Sequence, residues 1–365
     1  MGLFRRVARA RLAGQVVRRL RRTGMADVRY DPLGFQVRFT VTGDDVPTIL
    51  ELAPLLAARG RRRGVEISRF VASLGSGAGV PRTWTEARPL LRPVLRGGTP
   101  GSSLSRPVLP FLSEFVVIDG PDTMTYVGPE QPAMWGVKVN DVFAAARANL
   151  SGATLQGAAT EPVVVRFVDD GDAYWTSHLL LEHWLGRLAL QVGGTPVAFA
   201  PERGTLLVTA DGSDHLRGLF AQAEEIYAKT SRPISPMAYA SDADGLPVPY
   251  AAPPGHPLHH SVERAERVLA VEEYARQAAR LAEADRPASE TVAELLLIGS
   301  DEQGWRTRAI WERDEPALLP EADELQIGEE ILPWAELAAR LKPVAGMQPA
   351  RWAAASWPPA GPRRA

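Results

Sequence analysis

The sequence predicts an α+β fold, a mixed sheet with packed helices, followed by a smaller C-terminal α/β piece. Three observations carry this expectation. Helical and strand periodicities follow one another irregularly, with neighbouring strand candidates at 197–200 and 205–209, unlike the strict alternation of a doubly wound parallel sheet. The 365 residues correspond to about two domains at roughly 150 residues each. Hydrophobic residues make up 45% of the chain, enough for a sizeable core.

From the amino end, Leu3, Val7, Ala10, Gly14, Val17 and Leu20 recur at helical spacing with Arg on the other faces, and Gly24 supplies a stop. Residues 28–30 and 35–41, split by Asp31-Pro32-Leu33-Gly34, read as a hairpin. Residues 46–59 read as helix, with Pro54 as a bend or start. Gly-rich loops occupy 75–79 and 96–103, a short helical piece starts at Thr83, and 114–119 reads as strand. The central block gives helix at 139–150, strand at 162–168, helix at 174–192, the two neighbouring strands, helix at 212–230 and a short strand at 237–240. Beyond it come a charged helix over 261–284 capped by Ser261, strands at 292–299 and 305–312, and a short helix at 333–341.

These elements divide the chain into an N-terminal region (1–130), a central α+β domain (131–250), a Pro/His linker (251–260), a C-terminal helix and β-hairpin extension (261–342) and a Pro/Ala-rich tail (343–365) expected to be disordered. Trp135, Trp175, Trp184, Trp305, Trp311 and Trp334 are expected to anchor the core or its edge.

Charge and composition narrow the function classes. The net charge is −2, which argues against bulk nucleic-acid affinity. There is no cysteine, so disulfides, thiolate nucleophiles and Cys-ligated metals are impossible. Only Lys138, Lys229 and Lys342 are lysines, a bias of GC-rich bacterial coding, so Arg as such is no sign of phosphate recognition. No apolar run approaches the roughly 18 residues of a membrane span. Arg9, Arg11 and Gln15 interrupt any secretory h-region. A cytoplasmic bacterial protein is the expectation. Charge is nevertheless uneven: the first 24 residues hold eight Arg and no acid, while 261–342 hold 19 acids against 10 bases.

Several short motifs occur in order. They are Trp135-Gly136-Val137, Ala146 to Asn149-Leu150, Asp169-Asp170-Gly171 with Tyr174 and Ser177, Gly193-Gly194-Thr195-Pro196, Ala200-Pro201 and Pro233-Ile234-Ser235-Pro236. Upstream stand Trp84-Thr85-Glu86-Ala87 through Leu91, Pro93-Val94-Leu95-Arg96, and Pro110-Phe111 leading to Val117-Ile118-Asp119. This order resembles the YtpQ-like family of bacterial proteins, a domain of unknown function, over about residues 3–250. The resemblance implies kinship and carries over no functional residue; 251–365 lies outside it.

The residues offer few candidates for chemistry. Asp169, Asp170 and Asp172 surround Gly171, three carboxylates that could hold a hard cation but lack the EF-hand order. His178 and Glu182 share a face of the expected helix, whereas His178 and His183, five apart, do not have zinc-protease spacing. Asp169, Asp170, His178 and Glu182 are therefore the weak catalytic candidates, against a plain reading as helix-end acids and a surface pair. His256, His259 and His260 sit in the linker without supporting ligands. Neither Gly-rich loop has phosphate-cradle spacing, and no G-x-S-x-G surrounds a Ser. No cofactor and no metal site is expected. The basic helix over 1–24 must bury its apolar stripe on the protein's own body, on a protein partner or on an anionic membrane surface. The expected function is a non-catalytic interaction or accessory module with a protein partner. The alternatives are a hydrolase or metal-dependent enzyme centred on 169–182, and a peripheral membrane protein held by the basic helix.

Overall fold

The computed structural model describes residues 2–32, 35–40, 47–52, 80–97, 103–120, 123–150, 152–153, 155–168, 173–230, 232–283, 291–312 and 315–355. About 33% helix and 34% strand, arranged in several sheets, make the fold α+β.

The first sheet is antiparallel and has seven strands: β1 (Ala26–Asp31), β2 (Gln36–Thr40), β3 (Pro47–Glu51), β4 (Leu91–Gly97), β5 (Ser105–Leu109), β6 (Leu112–Asp119) and β7 (Thr123–Tyr126). Their spatial order is β1-β2-β3-β7-β6-β4, with β5 also on β6. The expected first hairpin is present as β1 and β2. The helix expected over 46–59 is not what 47–51 forms: Thr48, Ile49 and Leu50 pair with both β2 and β7. Thr48 and Ile49 are β-branched and buried, which favours strand, and pairing on both edges overrides the helical pattern.

Strand alternation gives this sheet two different faces. Val37, Phe39 and Leu50 turn to the face covered by α1 (Gly2–Arg22), through Leu12, Ala13, Val16 and Leu20. Leu91, Val116 and Ile118 turn the same way and meet Val142, Phe143 and Ala146 of α2 (Val139–Ala148). The basic helix thus packs Leu12, Ala13, Val16 and Leu20 on its own sheet, while Ala8 and Ala10 are exposed. The opposite face carries Ile49, Val94, Phe115, Val117 and Tyr126.

The central sheet has five antiparallel strands ordered β12-β11-β9-β10-β8: β8 (Val165–Val168), β9 (Pro196–Glu202), β10 (Thr205–Ala210), β11 (Ala238–Ser241) and β12 (Pro247–Pro249). Helix α3 (Leu216–Lys229) packs Phe220 edge-on against Phe199 of β9. The expected helix over 174–192 is instead two 3₁₀ segments, Trp175–Leu180 and Leu185–Leu188, running into a single α-turn, Ala189–Val192. Tyr174 at φ 51° and His183 at φ 57° break helical continuity at both places.

Helix α4 (His259–Glu283) leads into the C-terminal region. Two small sheets follow, ordered β13-β16-β20-β19 and β14-β15-β17-β18. Their strands are β13 (Thr291–Val292), β14 (Leu295–Ser300), β15 (Gly304–Trp311), β16 (Ala317–Pro320), β17 (Glu324–Ile327), β18 (Glu330–Pro333), β19 (Lys342–Pro343) and β20 (Arg351–Ala354). The disordered tail expected from 343 is thereby corrected for 343–355, because β20 pairs with both β16 and β19. Arg351 explains that order. It is fully buried, and its guanidinium donates to Gln277 Oε1 at 2.6 Å, to Leu318 O at 2.8 Å, to Ala293 O at 3.0 Å and to Tyr274 O at 3.3 Å. A buried cation is tolerable only when its donors are satisfied, and here carbonyl and amide oxygens serve instead of a carboxylate. Trp135, Trp184, Trp311 and Trp334 are buried, and Trp175 and Trp305 are half-buried.

Candidate functional site

The face of the first sheet turned away from α1 and α2 is buried around Tyr126 and unusual for its charge. Arg92, Val94 and Arg96 alternate on β4 and point to one side. The register places Val117 beside Arg92 and Tyr126 beside Val117, while Arg38 shares the face through Ile49 and Met124. The 3₁₀ segment after Tyr174 and the tight turn between β9 and β10, which holds Arg203, close over the β4 side of this face. Leu95 N donates to Ser177 Oγ at 3.3 Å, and Thr176 Oγ1 donates to the Arg203 carbonyl at 3.4 Å. Both bonds join elements of the seam.

The charges of three guanidinium groups, those of Arg203, Arg96 and Arg38, act on the Tyr126 phenol there. Arg96 is 6% exposed, hydrogen-bonds to the phenol and donates through Nη1 to Leu95 O at 2.7 Å. Its Nε, like the Nε of Arg203, is buried without a hydrogen-bond partner among the described residues. Among the described residues no carboxylate pairs with Arg38, Arg96 or Arg203. Burial, and then the like charge of Arg203, hold the Arg96 pKa down to about 10. Burial alone would raise the Tyr126 pKa, but Arg203, Arg96 and Arg38 together outweigh it and lower the phenol below its ordinary value.

The neighbouring phenol behaves oppositely. Tyr174 adopts the left-handed backbone conformation, at a cost of about 1 kcal/mol for a residue with a Cβ. Its hydroxyl hydrogen-bonds to Asp119. Burial and the Asp119 carboxylate raise its pKa well above the ordinary phenol range. Asp119 also faces Arg92 at 3.9 Å, so Arg92 is compensated while the three cations at Tyr126 are not.

Another buried charge is structural. Glu114 of β6 is fully buried and takes Arg147 in a two-point bond at 2.8 and 2.7 Å, with Arg106 at 2.7 Å. The Arg106 guanidinium also lies 4.3 Å from the Phe143 ring centroid. Every carboxylate oxygen is satisfied, and the cluster locks α2 to the sheet.

The residues singled out from sequence do not converge. Asp169, Asp170 and Asp172 lie outside the described residues. His178 is 1% exposed, between the rings of Trp175 and Trp184 at 5.1 and 5.0 Å, with Nδ1 3.2 Å from Tyr174 O. Glu182 is exposed, beyond the Leu181 break, so the shared helix face expected for the two does not exist. His183 is exposed as well and packs against Gly245. His259 and His260 face Glu263 at 3.6 and 3.5 Å, and His256 accepts the Leu258 amide at 3.2 Å. Among the described residues no group of three His, Asp or Glu could hold a metal ion, and no helix is long and apolar enough to cross a membrane. The Gly-rich loop at 75–79 and most of the second, 98–102, lie outside the described residues.

Arg38, Tyr126 and Arg203 belong to no sequence motif, and Arg96 stands in the sequence only as the end of the Pro93-Val94-Leu95-Arg96 stretch. The available signal was local: two Arg spaced i, i+4 within an otherwise apolar strand, in Leu91-Arg92-Pro93-Val94-Leu95-Arg96. Converging cations with unfilled donors and a phenol of lowered pKa can bind an oxyanion by charge-assisted hydrogen bonds. No protein-family model matches the chain, and no curated protein or solved structure does either.

Proposed function

We propose that this protein is a non-catalytic accessory module that recognises an anionic group in the seam around Tyr126. One observation carries the reading: Arg96 is 6% exposed, keeps an unfilled Nε donor and has no carboxylate partner among the described residues. An uncompensated buried cation costs several kcal/mol, and an anionic ligand would remove that cost. The neighbouring cations Arg203 and Arg38 add attraction, while the phenol can donate one hydrogen bond. A nucleophile paired with a base does not accompany the cluster among the described residues, which favours recognition over turnover. A protein partner bearing the anion, and kinship with the YtpQ-like family through the motifs of 134–250, are parts of the same proposal.

Thermal unfolding at fixed ionic strength tests it. Sodium chloride should be exchanged stepwise for sulfate, phosphate, citrate or acetate. At least one of these anions should raise the melting temperature of the native chain and leave Arg203→Gln unmoved. Equal responses of the two proteins to every anion would remove the site.

A further inference from the structure

The charge balance and donor geometry of the seam narrow the ligand further, and the narrowing rests on the anion-recognition reading above. The charges of three guanidinium groups, those of Arg38, Arg96 and Arg203, act on Tyr126, whereas the fourth nearby cation, Arg92, already faces Asp119. A monocarboxylate would leave two of the three charges uncompensated. A phosphomonoester carries about −1.5 to −2 at neutral pH and presents three terminal oxygens. Three oxygens match three guanidinium groups, with the phenol as a further donor.

Two guanidinium donors are left unfilled among the described residues. Arg96 spends Nη1 on Leu95 O and keeps Nε free, and Arg203 likewise keeps Nε free among the described residues. The Nε edge of a guanidinium is a planar fork suited to two oxygens of one oxyanion. The walls come from separate parts of the chain: Arg96 and Arg38 on the sheet, and Arg203 on the β9–β10 turn. A ligand gripped by all three bridges those parts. The setting is aromatic as well as basic, since Phe115 packs edge-on to Tyr126 with centroids 5.8 Å apart. The deep position of Arg96, 6% exposed, favours a compact group over an extended surface.

We infer that the seam between the first sheet and the β9–β10 turn binds a small-molecule phosphomonoester in its dianionic form, held by Arg96, Arg203 and Arg38 with Tyr126 donating to it. Tyr174, hydrogen-bonded to Asp119, stands next to this cluster.

Isothermal titration of the full chain with ethyl phosphate, sulfate and acetate tests the inference. The second ionisation of a phosphomonoester lies at about 6, so ethyl phosphate should bind about tenfold more tightly at about pH 7.5 than at about pH 5. Sulfate, a dianion throughout this range, controls for titration of the protein and should change little. Acetate should bind at least tenfold more weakly than ethyl phosphate. Arg203→Gln, a turn substitution away from the core, should weaken ethyl phosphate by at least tenfold, and Arg38→Gln, on an exposed position, should weaken it less.

Acetate binding as tightly as ethyl phosphate would overturn the phosphomonoester assignment while leaving an anion site in place. Absence of binding by all three anions would overturn the assignment and the anion-recognition reading together. Flotation with phosphatidic acid vesicles, without any binding of ethyl phosphate, would overturn the small-molecule source.

Discussion

Arg96 of strand β4 hydrogen-bonds to the Tyr126 phenol, and the charge of Arg203, on the turn between β9 and β10, acts on the same phenol. A buried cation beside a half-buried like charge opposes folding unless something offsets it. Three consequences follow for stability, titration and ligand response.

Replacing Arg96 by Met removes a buried cation and keeps its volume. Chemical unfolding of Arg96→Met in chloride buffer should show stability unchanged or higher by about 1 kcal/mol, with the response to anions lost. A loss of about 3 kcal/mol would instead mark Arg96 as a structural residue like Arg351.

Tyrosine titration followed by ultraviolet absorbance separates the phenols. Of the seven tyrosines, Tyr126 should ionise below the ordinary value. Burial raises Tyr239 and Tyr227, and holds Tyr250 and Tyr274 up to about 12. Tyr126→Phe should delete the earliest component. The sign for stability is fixed by proton uptake. The folded chain releases the Tyr126 proton before the unfolded chain does, so this group adds stability as pH rises through its lowered value towards 10. The raised phenols stay protonated in the folded chain, so they withdraw stability as pH rises above 10. Stability of the native chain relative to Tyr126→Phe should therefore increase with pH just below 10.

Glu114 is the hub of an ion cluster whose members are all satisfied, and breaking it leaves Arg106 and Arg147 facing a neutral group. Glu114→Gln should cost about 3 kcal/mol in urea unfolding. A cost under about 0.5 kcal/mol would show that solvent takes over the two arginines.

Arg351 serves four acceptors, and Arg351→Met strands them. A loss of about 3 kcal/mol is expected, with earlier protease cleavage beyond α4. Unchanged cleavage would show that the C-terminal sheets hold without this pin.

The pair read from sequence as a catalytic candidate should split. His178→Ala, vacating the space between two Trp rings, should cost about 3 kcal/mol, whereas Glu182→Ala, at an exposed position, should stay within about 0.5 kcal/mol. Equal effects from the two substitutions would revive their coupling.

The contrast between legible and hidden features has physical reasons. Amphipathic spacing identified the helices at 139–148, 216–229 and 259–283, because each buries one face. The same spacing misread 47–51 and 174–192. In the first, sheet pairing on both edges outweighed the helical pattern; in the second, left-handed turns at Tyr174 and His183 have no mark in residue type. The tail at 343–355 reads as Pro/Ala-rich, yet one buried Arg orders it, and the acceptors of that Arg lie far off in sequence. The cluster at Tyr126 was hidden for the same reason. Arg38, Arg96 and Arg203 meet only after sheet register and turn position are set, and an Arg-rich composition gives no single Arg prominence.

The most direct test of the central claim follows the Tyr126 phenolate absorbance while ethyl phosphate is added at constant ionic strength, at a pH where Tyr126 is partly ionised. A bound anion neutralises the field of Arg96, Arg203 and Arg38, so tyrosinate absorbance should fall saturably, and Tyr126→Phe should show no change. An unchanged absorbance at saturating ethyl phosphate in the native chain would contradict anion binding at this site.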